Sequence, residues 1–400
     1  MHCTRRITED VYYVGASDRR TSLFENLFPI ERGVSNNSYL ITDEMSCLLD
    51  TADSALSQIF NENVAYVLNG RNLDYLVIHH MEPDHCANIA EILLRHPETI
   101  VVGNEKTFTY IRQFYPSLDL EGRTLSVKDG NTLSLGKHTL TFYMAPMVHW
   151  PEVMVSYDSY SKALFSADAF GTFGALDGNL FADEVDYDRD WLGDARRYYS
   201  NIVGKYGAPV QTALKKLRTL DIQYICSLHG PVWRENISYI IEKYDLWSTY
   251  TPEIEGLMIV YGSMYGNTEN AASILASKLS EKGVKNIKVY DASKTDVSYL
   301  LSEAFRVSNI VIASPTYNGG IYPKIENFIG DIVRAGLKNR TVSLIQNGTW
   351  APGANRAVHA KLDSLCKFTE TEITVKSSVR NEDLPAFEKA ADEITDSLSL

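Results

Sequence analysis

Residues 79–86 read HHMEPDHC, closing an apolar run, LDYLVI at 73–78, that has the character of a buried strand. From His80 to His85 the order is His-x-Glu-x-Asp-His, two imidazoles and two carboxylates within six positions. Groups of this kind are costly to bury unless something offsets their desolvation, and a cation offsets carboxylates and neutral imidazoles together. The same chemistry recurs at the ends of later strand-like runs: His149 in APMVHWPE, Asp168 in LFSADAFG and His229 in CSLHGPVW. His80, Glu82, Asp84, His85, His149, Asp168 and His229 therefore make seven candidate ligands. With one carboxylate shared, they suffice for two metal ions with three terminal ligands each. Taken singly, His149 or His229 reads as a satisfied core histidine and Asp168 as a turn residue before Gly171; the set carries the metal reading. His79 has no place in the spacing and is expected to pack or to support its neighbours. Tyr198, in DARRYYSNI, is a candidate neighbour of the site.

Around this stretch, 400 residues are too many for one ordinary core and suggest at least two domains. The hydrophobic fraction of 44% is that of a globular protein. No apolar run approaches the roughly 18 residues of a membrane helix. The opening, MHCTRRITEDVYYVG, has neither an apolar signal region nor a cleavage site, so a cytoplasmic location is expected. A net charge of −13 disfavours nucleic-acid binding. The cysteines Cys3, Cys47, Cys86, Cys226 and Cys366 are odd in number and far apart, and no Cys-x-x-Cys occurs, which argues against a disulfide framework, a zinc ribbon or a rubredoxin-type iron site. Cys86 and Cys226, though beside candidate ligands, read as small core residues. The acidic run DEVDYDRD at 183–190 reads as a solvated face.

The rhythm of the chain changes near residue 250. Residues 1–250 contain short strand-like runs such as NSYLITDEMSCLLDTA, TIVVGN and EVMVSYDS, interrupted by helical stretches, HCANIAEILLRHPE and SNIVGKYGAPVQTALKKLRTL among them. Clustered strands with helices between them predict a layered α+β domain. Residues 256–400 alternate strictly: strands GLMIVYGS, NIKVYDA, NIVIASP, TVSLIQN and EITVKSS, each followed by a helix, the fourth helix being read over ANRAVHAKLDSLCKF. That alternation predicts an α/β domain, a doubly wound parallel sheet of five strands. The segment YDLWSTYTPEIEG is the expected junction.

In the second domain the first strand-to-helix turn is Ser263-Met264-Tyr265-Gly266-Asn267-Thr268. Small hydroxyl residues and a glycine let backbone amides converge on an anion at a helix N-terminus. There is no Gly-Lys-Ser/Thr and no Gly-x-Gly-x-x-Gly, so a single phosphate monoester fits better than a triphosphate or dinucleotide. Aromatics among small residues follow at the ends of strands three and four, in Pro315, Thr316, Tyr317, Asn318, Gly319 and Gly320, and in Asn347, Gly348, Thr349 and Trp350. Taken one at a time, Tyr317, Tyr322 and Trp350 could be ordinary loop or core aromatics; three such turns in order describe a flat phosphorylated ring system. Residues 256–400 thus resemble flavodoxin, whose cofactor is FMN. That resemblance implies that Ser263–Thr268 hold the phosphate while the other two turns flank the isoalloxazine.

The ligand pattern of the first domain resembles the metallo-β-lactamase fold, an αββα sandwich with a binuclear site. That superfamily usually reads His-x-His-x-Asp-His; here Glu82 replaces the second histidine. Zinc hydrolases favour neutral imidazoles, whereas carboxylate-rich sites suit redox-active iron. A lactamase-like domain with this motif followed by a flavodoxin domain is similar to the flavodiiron proteins, over essentially the whole chain. The resemblance implies one iron on His80, Glu82 and His149, a second on Asp84, His85 and His229, and Asp168 as bridge. It implies a soluble enzyme reducing O2 to water, NO to N2O, or both, with FMN relaying electrons to the di-iron centre. It further implies a separate electron donor, such as rubredoxin or an NAD(P)H-dependent flavin or rubredoxin reductase. A head-to-tail homodimer, or a tetramer built from it, is expected, and the simplest class, with no fused rubredoxin or reductase module. The competing readings are a binuclear zinc hydrolase with an accessory flavodoxin domain, which Glu82 speaks against, and an electron carrier on a degenerate scaffold, which seven retained ligand types speak against.

Overall fold

Val, Ile and Leu concentrate at 75–77 and 100–103, and these residues become two adjacent parallel strands of the first of three large sheets. In the computed structural model, which describes residues 2–398, the chain forms two compact units. One comprises Met1–Tyr199 with Ala208–Asp245, the other Ser200–Gly207 with Leu246–Leu400.

The first unit holds a seven-stranded sheet in the order Arg5–Arg6, Val11–Tyr13, Tyr39–Thr42, Ser46–Leu49, Tyr75–Val77, Ile100–Gly103, Thr124–Ser126. Its last four strands run parallel, with Leu76 in register with Leu48 and Val101. One face carries Leu40, Leu48, Leu76 and Val101 against Phe60, Val64, Ile92, Phe108 and Ile111 of the covering helices. The opposite face meets a second sheet, Thr132–Ser134, Thr139–Met144, Met154–Asp158, Ala163–Phe165, Tyr224–Cys226. There Tyr39 and Phe165 lie with ring centroids 5.5 Å apart. Helices outside two facing sheets give the αββα sandwich of the metallo-β-lactamase fold.

Local readings change in two places. The helix expected from His85 is two pieces, Pro83–Cys86 and Ile89–Arg95. Asn88, at the break, is pulled aside by Thr51 Oγ1 on its N–H (3.2 Å) and by Ala52 O on its side chain (2.6 Å). The helix expected over 200–220 begins as a π turn at Tyr199–Val203 and a 3-10 turn at Gly204–Tyr206, becoming α at Gly207–Leu217. The acidic run 183–190 lies at the surface as read, with Asp183, Asp186 and Asp188 exposed, but it is held by partners: Asp183 pairs with Arg234, Glu184 with Arg5, Asp188 accepts from Tyr239, and Tyr187 is buried.

The second unit is a parallel sheet in the order Lys288–Asp291, Ile254–Tyr261, Val307–Tyr317, Thr341–Asn347, with Lys367–Phe368 and Ile373–Val375 both pairing on the last. The first strand in sequence lies inside the sheet and the second at its edge, the doubly wound order of flavodoxin. Helices Asn267–Glu281, Val297–Arg306, Pro323–Ala335, Ala354–Leu362 and Leu384–Ser397 follow the strands. The fourth helix stops at Leu362 rather than running to Phe368. Its carbonyl takes the N–H groups of Leu365 and Cys366, and Lys367–Phe368 joins the sheet instead. Arg340, fully buried, donates to the carbonyls of Ala304, Phe305 and Tyr250, tying the end of the second helix to the segment entering this unit.

Candidate metal centre and cofactor cleft

The loops at the strand ends of the first unit bring the seven ionisable side chains together. Asp50, just past Ser46–Leu49, accepts the backbone N–H groups of His79 (2.7 Å) and His80 (3.3 Å) on one carboxylate oxygen. Its other oxygen lies 2.6 Å from His79 Nδ1, and His79 Nε2 lies 2.8 Å from Ser156 Oγ. His79 is therefore a buried strut between the two sheets, with both ring nitrogens occupied. Pro83 opens the single turn that presents Asp84 and His85, and the His85 carbonyl is held by Thr51 N–H and hydroxyl, each at 2.8 Å. His229 follows the strand Tyr224–Cys226. Its neighbour Gly230 has φ +78°, and a Cβ there would meet Thr172 Cγ2 at 2.1 Å, so no side chain fits.

The cluster has two halves. Nε2 of His80 lies 3.2 Å from Glu82 Oε2, 3.3 Å from His149 Nε2 and 3.5 Å from Asp168 Oδ2. His149 Nε2 lies 3.0 Å from Glu82 Oε2 and 3.2 Å from Asp168 Oδ2. In the other half His85 Nε2 lies 3.1 Å from His229 Nε2, 3.4 Å from Asp84 Oδ2 and 3.1 Å from Asp168 Oδ1. The His229 nitrogen is 3.4 Å from Asp84 Oδ2 and 3.7 Å from Asp168 Oδ1. Asp168 thus turns one oxygen to each half. His80, His85, Asp168 and His229 are fully enclosed.

The donor set fits metal ions. His229 Nδ1 lies 2.7 Å from the Ser35 carbonyl and must donate to it, which leaves Nε2 as a bare lone pair facing the cluster. Both oxygens of Asp168 are buried with only the cluster's own imidazole nitrogens beside them, and Oδ1 of Asp84 is buried without a hydrogen-bond partner among the described residues. Burial pushes the Asp84 carboxyl up to about 7, with Glu82 and Asp168 adding to the effect and His85 opposing it. Burial, then His85, pushes His229 down to about 4. For Asp168 burial is outweighed by the His85 and His80 imidazoles, which hold the carboxyl well below its ordinary range. Converging lone pairs and crowded carboxylates are what a pair of cations relieves.

Some of the surroundings carried no signal in sequence. A cleft of about 280 Å³ reaches Glu82 and Asp84 past the hairpin Leu23–Phe24/Phe28–Pro29, with Glu25 and Asn36 on its wall. Phe24 lies edge-on to His229, centroids 5.5 Å apart. Tyr198 is buried with its ring 5.4 Å from that of His229, and its hydroxyl has no hydrogen-bond partner among the described residues. All five cysteines are free.

In the second unit a cleft of about 460 Å³ opens between three strand ends. Ser263, Met264, Tyr265, Asn267, Thr268, Pro315, Thr316, Asn318, Gly319, Asn347, Gly348, Thr349 and Trp350 line it, together with Ala351 and Ser377, which the sequence did not single out. Gly266, Tyr317 and Gly320 belong to the same turns but do not line it. Gly266, at φ +90°, caps the helix Asn267–Glu281 and donates its N–H to Ser263 Oγ (3.0 Å). The turn at Asn318 and Gly319 closes a hairpin in which Thr316 pairs with Ile321 and Tyr317 with Gly320. Tyr265 and Trp350 are 92% and 89% exposed, two apolar faces left in solvent at the cleft. No lining residue is Lys or Arg, so an anion here would rely on helix-end amides and hydroxyls. Hydroxyls and amides at one end, with free aromatic rings beside them, fit a phosphorylated planar ring system.

Fold and sites define a class: a lactamase-like unit with a carboxylate-rich double metal cluster, joined to a flavodoxin-like unit with a cleft for a planar cofactor. Comparison with known proteins agrees. Residues 34–230 match the model of the ODP family beta lactamase, and residues 259–379 that of flavodoxin. The anaerobic nitric oxide reductase flavorubredoxin of Vibrio vulnificus is 31% identical over 381 residues, 94% of this chain and 76% of that one. An uncharacterized protein of Methanocaldococcus jannaschii is 32% identical over 81% of this chain and 80% of its own length. Among solved structures, the rubredoxin oxygen:oxidoreductase of Desulfovibrio gigas superposes with a TM-score of 0.92 at 26% identity, covering 99% of this chain and 98% of that one. The flavodiiron protein of Giardia intestinalis gives 0.91 at 26%, over 99% and 97%. The chain belongs to the flavodiiron protein family, and its cofactors are FMN and a non-haem di-iron centre.

Proposed function

We propose that this protein is an oxidoreductase that reduces O2 to water, NO to N2O, or both. One observation carries the reading of its metal centre: the two oxygens of Asp168 address two separate pairs of imidazoles, His80 with His149 and His85 with His229. One iron would be held by His80, Glu82 and His149, the other by Asp84, His85 and His229, with Asp168 between them. Three carboxylates among four imidazoles favour iron over the imidazole-rich zinc of hydrolases. When bound, the iron pair binds the diatomic gas and supplies electrons, which FMN replaces.

The chain's own residues do the rest. The Ser35 carbonyl orients His229, and Asp50 fixes the backbone of His79 and His80. Phe24, edge-on to His229, and the full burial of Asp168 shield the inner side of the cluster, while the cleft at Glu82 and Asp84 leaves a way in for a small gas. In the second unit Ser263, Thr268 and the amides of the helix beginning at Asn267 would hold the FMN phosphate. Trp350 and Tyr265 would cover the ring. The domains are read as 1–250 and 256–400. The electron donor is read as a separate protein, rubredoxin or an NAD(P)H-dependent reductase, and the assembly as a head-to-tail homodimer in the cytoplasm. Among the described residues no helix is long and apolar enough to cross a membrane.

The test is stopped-flow mixing of photoreduced, iron- and FMN-loaded protein with O2 and NO separately. Flavin and iron bands should be reoxidised together by at least one gas. A colourless protein that takes up only zinc and reacts with neither gas would end the reading.

A further inference from the structure

His80 and His229 both present Nε2 to the metal cluster but are braced by different acceptors. His229 Nδ1 donates to a neutral backbone carbonyl, Ser35 O, at 2.7 Å. His80 Nδ1 lies 2.8 Å from Oε1 of Glu152, and the same oxygen accepts the Met81 backbone N–H at 2.9 Å. An oxygen already taking a backbone N–H is an acceptor, so the proton of His80 sits on Nδ1 and its Nε2 lone pair faces the cluster. Glu152 is 1% exposed, and its second oxygen has no hydrogen-bond partner among the described residues. Glu152 also shares a loop with His149, so one loop supplies a candidate ligand and the brace of another, both in the same half. That loop is held where Asn104 Nδ2 donates to the Glu152 carbonyl (2.6 Å). In the other half His85 Nδ1 is buried with no hydrogen-bond partner among the described residues.

We propose that Glu152 is a positioning residue that acts through His80 to make the His80–Glu82–His149 position the more readily oxidised of the two. This rests on the ligand assignment above. A carboxylate behind an imidazole strengthens it as a donor and favours the ferric ion, whereas a neutral carbonyl does so less. The half with Glu152 therefore gives up its electron first, and the diferrous centre leaves its reduced state through that iron.

The test compares wild type with Glu152→Gln, which keeps an oxygen for both N–H donors but removes the carboxylate, and with Glu152→Ala. Iron content, chelator competition and an EPR-monitored redox titration are read on each, with Mössbauer spectra of the half-oxidised form. Glu152→Gln should retain two irons. Its first oxidation should become about tenfold less favourable, a rise of about 59 mV for a one-electron couple. Glu152→Ala should bind iron about 10–100-fold more weakly. Glu152→Gln with wild-type iron content and unchanged couples overturns the proposal. If the wild type itself takes up no metal pair, the ligand assignment fails first, and the two failures are told apart by that measurement.

Discussion

Asp168→Asn removes one anionic oxygen at nearly constant volume. Because Oδ2 faces His80 and His149 while Oδ1 faces His85 and His229, an amide can serve one half with its oxygen but offers the other an NH2 group. The variant should lose one metal of the pair, and gas reduction with it, while the fold remains. Metal analysis and far-ultraviolet circular dichroism check this, and retention of both irons would sink it. Tyr198 poses the opposite case. Its hydroxyl is buried with no partner among the described residues, and burial, then the charges of Asp168, Glu82 and Asp84, hold its pKa well above the usual value, so it keeps its proton. Tyr198→Phe removes an unsatisfied group, so stability should hold or rise. Turnover should fall by about 10²-fold if the hydroxyl donates a proton during gas reduction; unchanged turnover would reduce it to packing. The spacing within HHMEPDH exposed His80, Glu82, Asp84 and His85 because a dense local motif is visible in one dimension, and His149, Asp168 and His229 were found only as the same residue types at later strand ends. Their supports were not visible: Asp50 is 29 residues from His79, Glu152 is 72 from His80 and Ser35 is 194 from His229. A carbonyl, moreover, leaves no mark on residue type.

Among elements, His138 joins three segments at the edge of the sandwich. Its Nδ1 lies 2.7 Å from Asp158 Oδ2, its Nε2 3.4 Å from Asp10 Oδ2, and its backbone N–H donates to Asp43 at 2.8 Å. Lys137 also pairs with Asp10, and Tyr160 packs edge-on against the ring. Burial opposes a charge on His138, but Asp158 and Asp10 outweigh it and raise the pKa. A raised folded-state pKa contributes stability that is complete below the unfolded value, about 6.5, and is lost as pH rises through the folded one. Urea unfolding from pH 5.5 to 9 should show that decline, and His138→Asn should flatten it. An unchanged slope would place the pH dependence elsewhere. The alternation of strand and helix in the second unit was legible because its inner strands Ile254–Tyr261, Val307–Tyr317 and Thr341–Asn347 are long and apolar and amphipathic helices separate them. Thr124–Ser126 and Thr132–Ser134, both Thr-Leu-Ser, were not: three residues give no periodicity, and the first is wholly exposed. The fourth helix was read too long because Lys367 and Phe368 continue an amphipathic pattern that the sheet claims.

At the scale of the molecule the two cofactor sites lie on separate units, and their roles separate by electron count. Two NO molecules become N2O and water with two electrons, which a reduced iron pair can supply alone. O2 needs four to reach water, so the iron pair alone cannot complete it. Protein stripped of FMN but loaded with iron and chemically reduced should therefore consume NO once, to about one N2O per iron pair, and then stop. With O2 it should leave partly reduced oxygen in solution, detectable as hydrogen peroxide. Restoring FMN should restore repeated turnover with either gas that the holoprotein reduces. The Asn347–Trp350 turn gives a control that leaves the metal centre untouched: Trp350→Ala removes a side chain 89% exposed in the cleft, so it should weaken FMN retention while iron content stays constant. Repeated turnover by the FMN-free protein would show that the iron pair draws electrons by a route other than the flavin. The division of labour between the units would then have to be drawn again, even with both sites filled as proposed.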